Sequence, residues 1–190
     1  MKKLALLLLS CALLLNACKK KDDGNITVTP TSPYYFKGTL GGEAHNFTAN
    51  IPQYMPFYAN EVGGYQVADA SLWPSFGLRL SWPSGDTVKE SDLMGLIGKT
   101  LSLGDTAISP TISYGASASA DQWVSVPHSF NSDYYVTISN VTFLKKDTSA
   151  GVYLKTYVIK GTCTAQMQQG STISNLTGGE FNFVISRRDF

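Results

Sequence analysis

Two histidines are the side chains of this chain best suited to moving protons. His45 and His128 could each complete a Ser-His-Asp triad if the fold brought a serine and an acid to them. The local signature of such a serine is Gly-x-Ser-x-Gly, and the nearest match, the segment Gly115 to Ser119, ends in serine instead of glycine. The acids are thinly spread, and no spacing of Cys, His or Asp indicates zinc or calcium. We therefore expect no catalytic residue, no metal and no cofactor, with a hydrolase assembled from distant residues as an alternative.

Aromatic side chains are the second group whose chemistry could serve a function. The candidates for binding are Tyr54, Phe57, Tyr58, Trp73 and Trp123. They fall in or near predicted loops, where exposed aromatic faces can stack on sugar rings or anchor a protein interface. The competing interpretation is that they fill the core, because a domain of this size needs large buried side chains.

The N-terminal segment has two lysines near its start and a cysteine, Cys18, just after an apolar stretch. Lys2 and Lys3 precede the apolar segment Leu4 to Leu15, whose length of about 12 residues is typical of a signal peptide and too short to span a membrane. Ala17 and Cys18 follow. The arrangement resembles a bacterial lipoprotein signal peptide, which implies that residues 1–17 are removed and that Cys18 carries lipid. Two or more acyl chains, such as palmitate, give a stable membrane anchor. The alternative is an ordinary secretory signal with an accidental cysteine.

The residues after Cys18 predict a tether. Lys19 to Asp23 resembles the export signal of surface lipoproteins of Bacteroidetes, and the alternative is a solvated charge run. Residues 18–33 are predicted to be the lipidated cysteine and a flexible linker, because they contain charges, Thr, Pro, Gly and Ser with few large apolar residues. We expect a protein that is lipid-anchored to the outer membrane and exposed at the cell surface.

Composition excludes some partners and one kind of cross-link. The formal net charge of +1 gives no electrostatic footprint for nucleic acid. With Cys11 in the predicted signal and Cys18 lipidated, Cys163 is left alone, so no intramolecular disulfide is expected. Residues 34–190 are predicted to form a single domain, which is long enough to fold without a disulfide or a metal.

Alternation of apolar and polar residues predicts strands along this domain. The main predicted strands are Tyr34–Leu40, Ala44–Ala49, Phe76–Trp82, Tyr135–Leu144, Tyr157–Met167 and Phe181–Ile185, and weaker ones lie at Gly64–Ala68, Thr111–Tyr114 and Trp123–Val126. Gly41-Gly42 predicts a hairpin turn. This pattern predicts an all-β fold, an antiparallel β-sandwich of roughly 8–10 strands, with a lipocalin-like β-barrel as the alternative.

Three details of this pattern make sharper predictions. The apolar phase slips near Ser139-Asn140, which predicts a β-bulge. The last two strands are predicted to pair antiparallel through a turn at Gln169-Gly170, with Cys163 facing inward and Val184 facing outward. Ser91 is predicted to cap a short helix that Gly98 ends.

Several segments resemble the small lipoproteins of Bacteroidetes. They are Gly38–Glu43, Leu96–Thr100, Ile159–Thr162 and Gly179–Phe181. The resemblance implies an all-β domain and no particular activity. Asp86-Thr87-Val88 and Asp105-Thr106-Ala107 also resemble a short acceptor motif for O-glycosylation in these bacteria.

Three hypotheses for the function follow. The first is a non-catalytic surface lipoprotein that binds a glycan or an envelope protein. The second is a hydrolase whose site is assembled from distant residues. The third is a barrel that carries a small apolar ligand.

Overall fold

Strands dominate the computed structural model of this chain. It describes residues 34–49, 51–53, 58–67, 73–83, 85, 87–117, 120–127, 133–149 and 151–189. The predicted signal segment, the predicted lipidation site Cys18 and the predicted tether lie outside the described residues, as do Tyr54, Phe57 and His128.

The described residues form eleven strands and one short helix. The strands are β1 (Tyr34–Leu40), β2 (Glu43–Ala49), β3 (Ile51–Gln53), β4 (Glu61–Val67), β5 (Ser75–Ser81), β6 (Thr100–Ser102), β7 (Ser109–Gly115), β8 (Trp123–Ser125), β9 (Tyr135–Ser149), β10 (Val152–Gln169) and β11 (Thr172–Arg188). The helix α1 spans Glu90–Met94, between β5 and β6. Among the described residues, no helix is long and apolar enough to cross a membrane.

All the strand pairs are antiparallel and belong to one sheet. Its order is β2-β1-β11-β4-β5-β7-β8-β10-β9-β6, with β3 beside β4. An additional pairing joins β11 to β10, so the six strands β11, β4, β5, β7, β8 and β10 form a closed ring of pairings. The predicted all-β, antiparallel class is confirmed. Because hydrogen bonding continues from strand to strand around the ring, the layers that enclose the core are parts of one sheet.

The core is built on aromatic rings from several strands. Phe36 of β1 stacks on Phe76 of β5 with ring centroids 4.1 Å apart, and Phe181 and Phe183 of β11 pack against Phe76. The predicted inward face of β10, from Tyr157 to Met167, is buried in the same cluster. This burial raises the pKa of the Cys163 thiol to about 12, so the free thiol stays protonated at neutral pH.

Strand pairing confirms the predicted hairpin, the bulge and the final antiparallel pair. β1 and β2 pair around Gly41-Gly42, and β10 pairs with β11 along most of its length. In the β9–β10 ladder, Asn140 lies opposite Lys160 and Ile138 lies opposite Gly161. Ser139 is therefore the extra residue of a bulge, at the predicted position.

The predicted outward position of Val184 is wrong. Val184 is fully buried, because β11 lies beside β4 at this point and Gly64 of β4 lets the two backbones approach closely. A Cβ on Gly64 would lie only 2.5 Å from the carbonyl oxygen of Val184. Both faces of β11 are therefore buried here, which alternation along one strand does not reveal.

The predicted helix cap and the last turn are each shifted by one or two residues. Helix α1 begins at Glu90, so Ser91 lies inside its first turn, and the backbone N–H of Lys89 donates to the Asp92 carboxylate over 2.7 Å. The helix ends at Met94 with Gly95 as its C-cap, so the prediction that Gly98 ends it is wrong. Gly98, with a positive φ of 80°, lies in the turn that follows. The last hairpin turns at Gly170 and Ser171 rather than at Gln169-Gly170.

A candidate binding groove on the outer face of the sheet

The two faces of β5 have opposite character. Phe76 and Leu78 point into the core, whereas Gly77 and Arg79 lie on the outer face. Strand pairing aligns Gly77 with a residue from each of three neighbouring strands, in the order Tyr65 (β4), Gly77 (β5), Ser113 (β7) and Val124 (β8). Residues that are distant in sequence therefore lie side by side on one surface.

A groove of about 470 Å³ lies along this row. Its lining residues are Gly64, Tyr65, Trp73, Ser75, Gly77, Leu78, Arg79, Thr111, Ser113, Gln122 and Val124. Its volume falls within the range of roughly 300–1,000 Å³ that is common for small-molecule sites.

Gly77 leaves room in the floor of the groove. A Cβ at this position would lie 2.5 Å from Oγ of Ser113 and 3.2 Å from Cβ of Tyr65. The missing side chain therefore keeps the centre of the row open. It also leaves the Ser113 hydroxyl beside the open space, where it can exchange hydrogen bonds with a ligand.

Trp73 is the predicted binding residue that the structure places in the groove. Its indole packs directly over Gly115 at the end of β7, since a Cβ on Gly115 would lie 1.9 Å from Cζ3 of the indole. Trp73 is half-buried, and so is Tyr65, the second aromatic side chain of the groove. The contact with Gly115 fixes one aromatic wall on a strand of the sheet.

Arg79 is the one charged side chain among the described residues that line the groove. Its side chain is 49% exposed, and its Nη1 lies 3.9 Å from Oε1 of Glu61. Glu61 accepts a hydrogen bond of 3.2 Å from the Ser81 hydroxyl, which holds the carboxylate over the β4–β5 pair. The groove thus combines two aromatic rings, neutral hydrogen-bonding groups from Thr111, Ser113 and Gln122, and one cation.

The other predicted binding residues lie elsewhere. Tyr58 is 75% exposed, and Trp123 packs against the core from β8, opposite Tyr114. This packing favours the structural interpretation of Trp123, while Tyr54 and Phe57 lie outside the described residues. The groove residues that the candidates did not include are the outward-facing polar ones, above all Arg79. Alternation along β5 already places Arg79 on the face opposite Phe76 and could have indicated it.

His45 has a structural environment in the described part of the chain. Its Nδ1 lies 2.9 Å from the hydroxyl of Tyr114, and the two rings pack with centroids 4.9 Å apart. Tyr114 is buried, and this burial raises the pKa of its phenol. The pair joins β2 to β7 across the core edge, which supports a role of His45 in stability.

We expect Tyr114→Phe to lower the free energy of unfolding by about 1 kcal/mol, because it removes this hydrogen bond and keeps the ring. Urea unfolding followed by fluorescence measures the change. Tyr153→Phe, at an exposed tyrosine, is the matched control and should have no effect. An unchanged unfolding midpoint for Tyr114→Phe would mean that the His45 contact adds nothing to stability.

A second polar cluster lies on β1 and β11. The Glu180 carboxylate receives a hydrogen bond from the Tyr35 hydroxyl and pairs with Nζ of Lys37 at 2.7 Å. Lys37 and then Tyr35 lower the pKa of Glu180, and the bond to Glu180 raises the pKa of Tyr35 to about 12. These partners bind the ionised carboxylate and the protonated phenol, so the cluster is complete at neutral pH.

The lowered pKa of Glu180 predicts that the contribution of this carboxylate to the free energy of unfolding is lost in acid. A carboxyl whose pKa is lower in the folded state stabilises the fold above its unfolded pKa, and this contribution disappears as pH falls through the folded pKa. We therefore expect Glu180→Gln to be less stable than the original chain at pH 7. The difference should close as pH falls below the ordinary value of 4.5. Thermal unfolding at a series of pH values measures it, and a difference that stays constant down to pH of about 3 would contradict the lowered pKa.

One of the two short Asp-Thr motifs has a clear local role. The Asp105 carboxylate accepts the backbone N–H of Ala107 over 2.8 Å, which is the hydrogen bond of an Asx turn. Thr106 is exposed. Asp86 of the other motif lies outside the described residues.

Comparison of this chain with protein-family models, with curated proteins and with solved structures found no match. The interpretation of the groove therefore depends on its own geometry and chemistry.

Proposed function

We propose that this chain is a non-catalytic carbohydrate-binding module that a lipid on Cys18 holds at the cell surface. The observation that carries the proposal is the groove in which Trp73 and Tyr65 stand beside the hydroxyls of Thr111 and Ser113.

A sugar ring suits this combination of groups. One face of a pyranose presents C–H bonds, which pack on an aromatic ring, while its rim carries hydroxyls that need hydrogen-bond partners. Trp73 and Tyr65 supply aromatic surface, and Ser113, Thr111 and Gln122 supply donors and acceptors. Tyr65, Thr111 and Ser113 lie on strands β4 and β7, whose pairing with β5 holds them in place before the ligand arrives and so reduces the entropy lost on binding.

The location is supported by the sequence. The Ala17-Cys18 junction after a short apolar segment motivates the lipid anchor, and about 15 residues of tether could reach about 50 Å when extended. A groove on the outer face of a tethered domain could then meet extracellular glycans. An outer-membrane protein partner is the main alternative occupant.

Binding to a glycan array tests the proposal. The protein is the mature chain, residues 18–190, with Cys18→Ser so that it needs no membrane. We expect saturable binding to at least one class of glycan. Trp73→Ala should weaken this binding by at least about tenfold, because it removes one aromatic wall. Tyr153→Ala, at an exposed aromatic residue of β10, is the control and should bind normally.

Two outcomes would contradict the proposal. The first is the absence of binding to every glycan by a folded protein. The second is binding that Trp73→Ala leaves unchanged. Capture of an outer-membrane protein by the same chain, together with the first outcome, would favour a protein partner.

A further inference from the structure

We infer that the groove selects acidic sugars, with Arg79 binding the carboxylate of a hexuronic acid residue. This inference rests on the carbohydrate function proposed above and names the class of sugar.

Arg79 is positioned to meet a ligand in the groove. It lies on the outer face of β5, two residues beyond the open floor at Gly77 and directly opposite Thr111 of β7. About half of its side chain is exposed. A guanidinium group carries five donors in a planar fork, which matches the two oxygens of a carboxylate.

The neighbouring acid leaves the donors of Arg79 available. The closest approach between the Glu61 carboxylate and the guanidinium is 3.9 Å, which is longer than a hydrogen bond. Glu61 instead accepts from Ser81, and only 14% of its side chain is exposed. The acid lies on the same face as Arg79, opposite Ser81, and is not among the residues that line the groove.

The other described polar residues of the groove are uncharged, so the single positive charge of Arg79 indicates which class of sugar the groove prefers. Thr111, Ser113 and Gln122 are neutral, and they could satisfy the hydroxyls of an uncharged sugar without help. A neutral ring offers the guanidinium only hydroxyl acceptors, which offset its desolvation less well than an ionised acceptor does. A carboxylate offsets this cost through charge-assisted hydrogen bonds. In a uronic acid the carboxylate lies at the rim of the ring, so the ring can stack on an aromatic wall while the carboxylate reaches a cation at the side.

Titration with matched pairs of oligosaccharides tests the inference. The probes are oligomers of galacturonic, glucuronic and mannuronic acid, and each is compared with its carboxyl-reduced, neutral form. A further probe is an oligosaccharide that has no carboxylate and carries sulfate esters. We expect at least one oligouronate to bind about tenfold more tightly than its reduced form. This preference should weaken as salt concentration rises.

Variants of Arg79 separate charge from shape. Arg79→Gln should lower the affinity for the acidic oligomer relative to its reduced form, so that the ratio of the two affinities falls to about one. Arg79→Lys should keep part of the preference, since it keeps the charge and loses the planar fork. Lys99→Gln, at an exposed lysine after helix α1, is the matched loss of charge and should have no effect.

The outcomes distinguish this inference from the function on which it rests. Equal affinity for acidic and reduced forms, tighter binding of the sulfated probe, or an unchanged preference in Arg79→Gln would each overturn the selection of uronic acids. In those cases binding that Trp73→Ala weakens would still support a carbohydrate module. If no sugar binds in a manner that depends on Trp73, the proposed function itself fails.

Discussion

Replacing Phe76 by alanine should lower the free energy of unfolding by about 3–5 kcal/mol. Phe76 is 1% exposed and lies at the centre of the aromatic core. Its ring stacks on Phe36 at 4.1 Å and meets Phe181 at 5.9 Å and Phe183 at 5.5 Å. Truncation would remove contacts to all three rings and leave a cavity, because their strands are held in register by backbone hydrogen bonds.

Chemical denaturation measures this loss directly. The matched control is Phe143→Ala on β9, since Phe143 is 44% exposed and should contribute much less. We expect a large decrease in the denaturant midpoint for Phe76→Ala and a small one for Phe143→Ala. Equal effects of the two substitutions would show that the core is not centred on Phe76.

Much of the fold can be predicted because the alternation of apolar and polar residues along each strand indicates which side is buried. In β10, inward residues from Ile159 to Met167 alternate with polar ones, and the structure buries the inward set. The bulge at Ser139 is predictable for the same reason, since an extra residue shifts the apolar phase of β9. These features depend on residues that are close together in the chain.

Other features depend on which strands become neighbours, which local alternation does not determine. Alternation along β11 predicts that Val184 faces outward, yet it is buried because Gly64 of β4 lies close to it. The pairing of β11 with both β1 and β4 likewise joins segments that are far apart in sequence.

In the candidate site, too, local alternation predicts some features and strand pairing determines the others. A tryptophan suggests either core or binding surface, and only the neighbouring strands decide between them: Trp73 lies in the groove over Gly115, whereas Trp123 packs against the core. The outward direction of Arg79 follows from alternation in β5. Its position opposite Thr111, in the same groove as Ser113 and Trp73, follows only from the pairing of β5 with β7.

Substituting Gly77 by valine should abolish the proposed carbohydrate binding while the protein stays folded. The new side chain would occupy the floor of the groove, where even a Cβ would lie 2.5 Å from the Ser113 hydroxyl. That hydroxyl can rotate away, whereas Cβ of Tyr65, 3.2 Å from the same position, moves only with its backbone. We expect affinity to fall by at least about 30-fold, or about 2 kcal/mol, since a ligand could no longer lie against the strands.

Stability should change less than binding. Valine restricts the unfolded chain more than glycine does, which partly offsets the crowding against Cβ of Tyr65, so the free energy of unfolding should fall by no more than about 1–2 kcal/mol. Glycan titration and urea unfolding of the same samples measure both quantities. Thr162→Val, at an exposed position of β10, introduces the same side chain away from the groove and should change neither binding nor stability greatly.

Gly77 and Phe76 are adjacent residues of one strand, so the comparison separates folding from recognition. Phe76→Ala removes packing on the inner face and should destabilise the protein, while Gly77→Val adds volume on the outer face and should block binding. If Gly77→Val instead unfolds the protein, Gly77 serves packing between β4, β5 and β7. If it binds glycans with full affinity, the ligand lies somewhere other than this groove. A stable Gly77→Val protein that has lost binding would assign recognition to the outer face of β5.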